Sequence, residues 1–288
     1  MTIDETTATS VPVDAMTPPP GSIDSRRAGG IPVAKIIGPI GVFGLIIGAW
    51  YFVSGVVLDP QQQFMFPLPH DIAKAFFDVD NIKELGQALR WTTEEALIGL
   101  AFSCVGGIGL AVLMSRAKWI EQSIYPWAVV LQTVPVLALT PLLSFFFGFS
   151  LTARVIVCFL ISFFPMISNT LFGLHSADRG MHDLFTLHHA SWFTRMRKLQ
   201  FPAALPAIFA GLRVSAGLAV IGAIVGDMFF KQGNAGIGTL LSSYTSYLQG
   251  DKLFAAVLLS SAVGILLFLL TGWLSKLVVG KWYHPTKD

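Results

Sequence analysis

Residues 183–202 read DLFTLHHASWFTRMRKLQFP, a polar, basic stretch set between two very apolar ones. Upstream lies VIVCFLISFFPMISNTLFGL; downstream the chain continues AALPAIFAGLRVSAGLAVIGAIVGDMF. Each flank is long and apolar enough to cross a bilayer, which takes ~20 mainly apolar residues. The basic stretch between them belongs in water. Across its 288 residues the chain is 53% hydrophobic and only 12% charged, with a mean hydropathy of +0.66. Soluble domains carry about 25% charged residues, so this much apolar surface needs lipid as its solvent.

Working outward, six stretches qualify as spans, near 33–58, 89–114, 124–147, 153–174, 204–230 and 253–279. The expected class is an all-α integral membrane protein with six transmembrane helices. The third stretch carries Pro126, Pro135 and Pro141, which predicts a kinked or broken helix, tolerated where backbone faces protein or a cavity. Residues 231–252 are too short in apolar content to span, and they read as a re-entrant or interfacial segment. Their Gly233, Gly236 and Gly238 suit tight turns.

Lys and Arg favour the cytoplasmic side of a membrane protein. With the N-terminus inside, twelve basic residues fall on the cytoplasmic side and five, including Arg154, on the outer side. Both termini and residues 183–202 are therefore expected in the cytoplasm. Residues 1–30, rich in Thr, Ser, Pro and Gly, read as a disordered cytoplasmic tail rather than a signal peptide. The membrane domain is expected over 31–282, with the polar loop at about 178–202 and a short cytoplasmic tail at 283–288.

In this setting residues 183–202 resemble the cytoplasmic coupling loop of permease subunits in bacterial ABC importers. That family's pattern reads EAA, three residues, Gly, nine residues, Ile-x-Leu-Pro. Asp183 stands at the Glu, Leu184 and Phe185 at the two Ala, and His189 at the Gly; Leu199, Phe201 and Pro202 stand at Ile, Leu and Pro. Further stretches are similar to the branch serving nitrate, sulfonate, taurine and thiamine-pyrimidine importers. They include Phe66-Pro67-Leu68-Pro69, Gln132-Thr133-Val134-Pro135, Phe163-Phe164-Pro165 with Asn169-Thr170, and Gly236-Ile237-Gly238 followed by Asp251. Where that branch often carries Ser-Leu-x-Arg before a Gly, this chain reads Thr92-Thr93-Glu94-Glu95 ahead of Gly99, so a basic position is acidic here.

The resemblance implies the type I importer permease fold in a bacterial inner (cytoplasmic) membrane. It implies two copies of an ATPase subunit, a second permease subunit forming a homodimer, and an external solute-binding protein. Asp183, Leu184, Leu187, His189, Ala190, Ser191, Leu199, Phe201 and Pro202 would form the ATPase-coupling element. A coupling element must be short and stiff, which predicts a helix over 179–188 ending in a bend at His189. Gly usually serves there because a left-handed backbone costs it nothing, and His is among the few other residues that visit that region.

Gln132, Pro135 and Asn169, in the matching patterns, are pathway candidates, as are Phe146, Asp227 and Glu95. Intramembrane charges are costly and by default functional. Arg90 and Glu94 sit at i,i+4 spacing for a pair, and Arg213 is placed to snorkel or to meet the coupling loop. Cys104 and Cys158, inside apolar runs, read as small buried hydrophobes. His175, His182 and His189 fall seven apart and would share one helix face, with His188 adjacent. Metal-ligand pairs are usually three to five apart, so no metal or other cofactor is expected.

The sequence holds no G-x-x-x-x-G-K-[ST], H-E-x-x-H or G-x-S-x-G motif. ATP hydrolysis, if the resemblance holds, belongs to another chain, and this chain is not an enzyme. A net charge of +2 and no basic stripe with interleaved aromatics give no reason to expect nucleic acid. The rival readings are a passive channel, or a membrane metalloenzyme built on the His cluster. The expected solute is a sulfonate- or nitrate-like anion or a pyrimidine-type vitamin precursor, carried across a lipid membrane.

Overall fold

A computed structural model describes residues 34–59, 64–231 and 233–280; the tails expected at 1–30 and 283–288 lie outside the described residues. Every regular element among the described residues is helical. The chain divides into two units after Ala49. The first carries most of α1 (Ala34–Phe52), whose Ile40, Phe43 and Leu45 are exposed, as suits a helix solvated by lipid.

In the second unit a π-helical turn at Val53–Val57 leads towards α2 (Pro69–Phe77). Pro69 opens α2 at the first helical position, where a missing N–H costs nothing. α3 (Val79–Met114) begins ten residues before the expected span. The Asp78 carboxylate caps it, accepting from the N–H groups of Asp80 and Asn81 at 3.0 and 3.4 Å. A hydropathy reading sees only the part in lipid, whereas the helix continues through its polar first turns.

The third stretch breaks at Pro135. α4 (Lys118–Thr133) and α5 (Val136–Phe147) meet at 94° across Val134 and Pro135. Among the described residues five helices are long and apolar enough to cross a membrane, and the count reaches six if this bent pair is one span. Pro126 and Pro141 sit inside their helices without breaking them.

α6 (Leu151–His175) and α9 (Phe201–Phe229) form the packed centre. They run antiparallel with glycine at the crossings. A Cβ on Gly222 would come within 2.8 Å of Cys158 Cα, and one on Gly211 within 2.8 Å of Asn169 Cβ. Small residues let two membrane helices approach until their backbones touch, which gains dispersion contact where lipid supplies no hydrophobic drive. α3 packs on α6 and α11 (Gly250–Val279) on α9. Met114, Met166, Ile167 and Leu174 fill one core cluster; Cys158 is fully buried in another and Cys104 packs partly buried against both.

The segment expected to be re-entrant or interfacial contains one short helix, α10 (Ile237–Ser246), packed on α3, α9 and α11. Gly233 has φ 94° and makes a turn. Gly236 and Gly238 act differently: a Cβ on either would collide with the Asp227 side chain or the Ile224 carbonyl, so they serve close approach to α9. Tyr244 on α10 donates to Glu84 Oε2 at 2.8 Å, tying it to α3. Burial, then that bond, holds the Tyr244 hydroxyl protonated well above its ordinary range.

Three charge assignments change. Arg90 and Glu94 form no ion pair; Arg90 lies over the Trp91 ring at 5.8 Å. Arg213 neither snorkels freely nor meets the polar loop but stacks over Phe268 on α11 at 4.5 Å. Arg154, counted among outer loop charges, is buried within α6.

Candidate functional site

The polar loop folds as the sequence predicts at its bend and with more fixed structure beyond it. α7 (Arg179–Leu187) is capped by Asp178, whose carboxylate accepts from Met181 N at 3.2 Å. His189 has φ 48°. Its N–H bonds the Thr186 carbonyl at 3.0 Å, and Ala190 N bonds the Phe185 carbonyl at 2.9 Å. This pair of bonds is the Schellman arrangement, with His189 in the left-handed position that Gly usually fills. Ser191 then caps α8 (Trp192–Arg195), which runs through a π-helical turn at Met196–Gln200 into α9.

One side-chain contact holds α7 to this continuous rod, and another ties the rod to the α3–α4 connection. Arg195 Nη2 donates to Thr186 Oγ1 at 2.9 Å, and Arg116, in the α3–α4 connection, lies over Trp192 at 5.6 Å. Asp183, Leu184, Leu187, His189 and Ser191 are exposed; Leu187 is 78% exposed. Ala190 and Pro202 are half-buried, Phe201 is 37% exposed, and Leu199 is buried. Leu199 therefore anchors the element from within, whereas the first group presents the most open surface.

The histidines do not share one helix face. His175 ends α6, 3.6 Å from Glu121, while His182 lies in α7 beyond a break. No group of three His, Cys, Asp or Glu side chains among the described residues could hold a metal.

At the other end of α6 the structure builds an ion node. Arg154 Nη1 donates to Glu95 Oε1, to Asp227 Oδ1 and to the Asn234 carbonyl, each at 3.0 Å. Its Nη2 donates to the Phe230 carbonyl at 2.5 Å. Thr92 donates to Asp227 Oδ2 at 2.6 Å and accepts from Ile237 N at 2.8 Å. Glu95, Arg154 and Asp227 are each at most 2% exposed. One buried cation thus ties α3, α6, α9 and the turn before α10. Desolvating such charges is costly, and the guanidinium of Arg154 offsets it by meeting both carboxylates and two carbonyls.

Of the pathway candidates, the node brings Glu95 and Asp227 together. Asn169 faces Gly211, sixteen residues along α9 from Asp227, or ~24 Å at 1.5 Å per residue. Gln132 and Pro135 are exposed beside the α4–α5 bend, and Phe146 is 67% exposed on α5. Arg154 was the missed residue. Its signal was present: two acids inside spans require a cation, and Arg154 stands at the start of an apolar run.

Beside the node lies a cavity of about 430 Å3, lined by Trp91, Glu95, Phe147, Phe149, Arg154 and Asn234 among others. Glu95 Oε2 has no hydrogen-bond partner among the described residues.

Residues 103–280 match the family described as binding-protein-dependent transport system inner membrane component. The chain is 35% identical over 212 residues to the formylaminopyrimidine transport permease protein ThiX of Halalkalibacterium halodurans, covering 72% of this chain and 82% of that one. It is 28% identical over 220 residues to the putative aliphatic sulfonates transport permease protein SsuC of Bacillus subtilis, covering 76% and 78%. Among solved structures it resembles a chain of the MetNI methionine ABC transporter in inward facing conformations, with a TM-score of 0.61 at 15% identity, over 70% of this chain and 99% of that one. At that identity the likeness is one of fold.

Proposed function

We propose that this chain, which belongs to the family of binding-protein-dependent transport system inner membrane components, works as one of two identical permease subunits around a solute pathway. It is a multi-pass inner-membrane transport subunit of an ABC importer and not an enzyme. An ATPase and a solute-binding protein are its partners by family. The finer reading has two ATPase copies docking on α7, a homodimer of permeases, and both termini in the cytoplasm.

The observation that supports this most is the build of residues 178–202. A short exposed helix is capped at both ends and bonded to a rod continuous with α9. A push on α7 is therefore delivered to a spanning helix rather than absorbed in a loop. ATP binding would close the ATPase pair, move both α7 helices together, and favour the outward-open state; hydrolysis would reset it. Nucleotide acts by binding one of two states better.

For the solute, the two relatives named above differ, one being a formylaminopyrimidine permease and the other a putative aliphatic sulfonates permease. The Arg154 guanidinium, the buried cation of the node, already faces two carboxylates. That favours a neutral or donor-bearing heterocycle over an anion. The test of the importer reading is ATP-dependent uptake by the reconstituted complex and its loss when the α7 surface is reversed in charge. Uptake that runs without ATP, with no ATPase co-purifying, would return the passive channel.

A further inference from the structure

We infer that a cavity behind α7 is a docking site for this chain's own C-terminal residues, with Trp282 and Tyr283 as the side chains it takes. The docking stands apart from transport; its consequence for coupling rests on the importer reading.

α7 is held unevenly. Its C-terminal half is bonded to α8 through Thr186 and Arg195. Behind its first turn lies instead a cavity of about 690 Å3. Asp178 and Met181, at the cap and first turn of α7, line it together with the end of α6, the π-helical turn and the start of α9. No residue of α7 is buried. On the cavity walls Met181 is 45% exposed and Phe172 of α6 is 72% exposed. The helix that must be stiff is thus hollow at its base, with apolar surface left uncovered.

What covers it is argued from where α11 stops. Val279, the last residue of α11, lines this same cavity. The sequence then continues Gly280-Lys281-Trp282-Tyr283, and residues 281–288 are outside the described residues. Trp282 lies three residues beyond Val279, a reach of at most ~11 Å. An aromatic pair is therefore tethered at the cavity wall, and a tethered group meets its site at high effective concentration.

The chemistry matches. Pro202 and Pro206 give the cavity flat apolar surface, and Trp and Tyr combine large apolar area with a polar tip that seeks a hydrogen bond. Ser176, Asp178 and Lys198 share the walls. They offer that tip partners and make the cavity a poor bed for a lipid chain. Asp178 is exposed, and Lys281 brings the opposite charge; such a surface pair adds little affinity but helps to orient the segment. Seated there, the segment wedges α7 against α9, so that a push on α7 moves both.

The test uses the full chain in lipid nanodiscs, without an ATPase. Ala203, half-buried on the cavity wall, is replaced by cysteine, and its reaction with a water-soluble maleimide is timed. Cys104 and Cys158 pack in the core, and the parent chain gives their baseline. Trp282→Ala is expected to speed labelling of Ala203→Cys about tenfold or more and to raise amide hydrogen exchange over residues 181–190. The melting temperature should stay unchanged. Trp273→Ala, which removes an exposed tryptophan of α11 outside the cavity lining, should alter neither readout. Ser176→Cys, also on the wall, decides the matter if Ala203→Cys fails to fold. Labelling that Trp282→Ala leaves unchanged means that a lipid chain or water fills the cavity, and overturns the docking. Faster labelling with unchanged exchange in α7 overturns it too, since Trp282 would then shield the cavity without seating in it. Neither readout involves transport, so their failure leaves the importer reading standing, and failure of ATP-dependent uptake leaves the docking standing.

Discussion

Arg154 on α6 donates to Asp227 on α9 at 3.0 Å, although seventy-three residues separate them in the chain. Both are buried, and Arg154 also meets Glu95 of α3. The two helices of the packed centre, and α3 beside them, are thus cross-linked by charge at one end.

Removing the shared cation should be the most damaging change at this node. Arg154→Met leaves two buried carboxylates without their partner, a loss on the order of 3–5 kcal/mol. Asp227→Asn should cost less, since Glu95 still faces the guanidinium and the amide oxygen still accepts from Thr92. The check is the melting temperature of the purified protein in detergent. Equal stability of wild type and Arg154→Met would mean the node is not structural.

His189 holds φ 48°, a region that costs an L-residue roughly 1–2 kcal/mol. His189→Gly should leave the fold intact and raise the melting temperature slightly. His189→Val, β-branched, should destabilise the α7 terminus. Limited proteolysis between α7 and α8 would report it, with cleavage faster in Val than in wild type and slowest in Gly. Identical cleavage in all three would mean the left-handed turn carries no strain.

Asp183 and Leu187 lie on the exposed surface of α7. Asp183→Arg should change intrinsic stability by less than about 0.5 kcal/mol, while a like-charge clash at an interface costs several kcal/mol. The expected outcome in the reconstituted complex is loss of solute-stimulated ATP hydrolysis with the melting temperature retained. Full ATP-driven uptake by Asp183→Arg would sink the coupling role of α7.

At Gly222 a Cβ would lie 2.8 Å from Cys158 Cα, a backbone atom that cannot step aside. Gly222→Ala should therefore force α6 and α9 apart, at a cost of about 1–3 kcal/mol. Gly217, with open space around it, serves as the control. Gly217→Ala should be neutral or better, by the helix propensity of Ala. Equal melting temperatures for the two variants would show that the close crossing is not rigid.

Topology is checked by single cysteines at Ser22 and Gln249. With both termini in the cytoplasm, a membrane-impermeant thiol reagent should reach Gln249→Cys from outside and Ser22→Cys only after permeabilisation. Labelling of both from the same side would reverse or break the proposed arrangement.

Much was legible before any contact was known. Hydropathy is additive along the chain, so apolar length placed the spans near residues 89–114, 153–174 and 253–279 within their observed helices, and that near 204–230 to within one residue of its helix end. The break near Pro135 and the bend at His189 are local as well, because proline sterics and left-handed backbone act within a few residues. Outside the described residues, the tail readings at 1–30 and 283–288 remain expectations.

What only the tertiary structure decided is which distant groups meet. Glu95 and Asp227 were picked out singly because a charge in a lipid-length run is expensive wherever it sits. Their partner Arg154 was counted as a loop charge, since sequence order says nothing about helix register. Register was set by Gly211, Gly222 and Gly226 lying against α6, which brings residues 154 and 227 to one level and leaves Asn169 roughly 24 Å away. Side-chain charge and backbone stiffness are properties of single residues and their neighbours. Pairing depends on how closely helices can approach, and that is fixed only when the whole set packs.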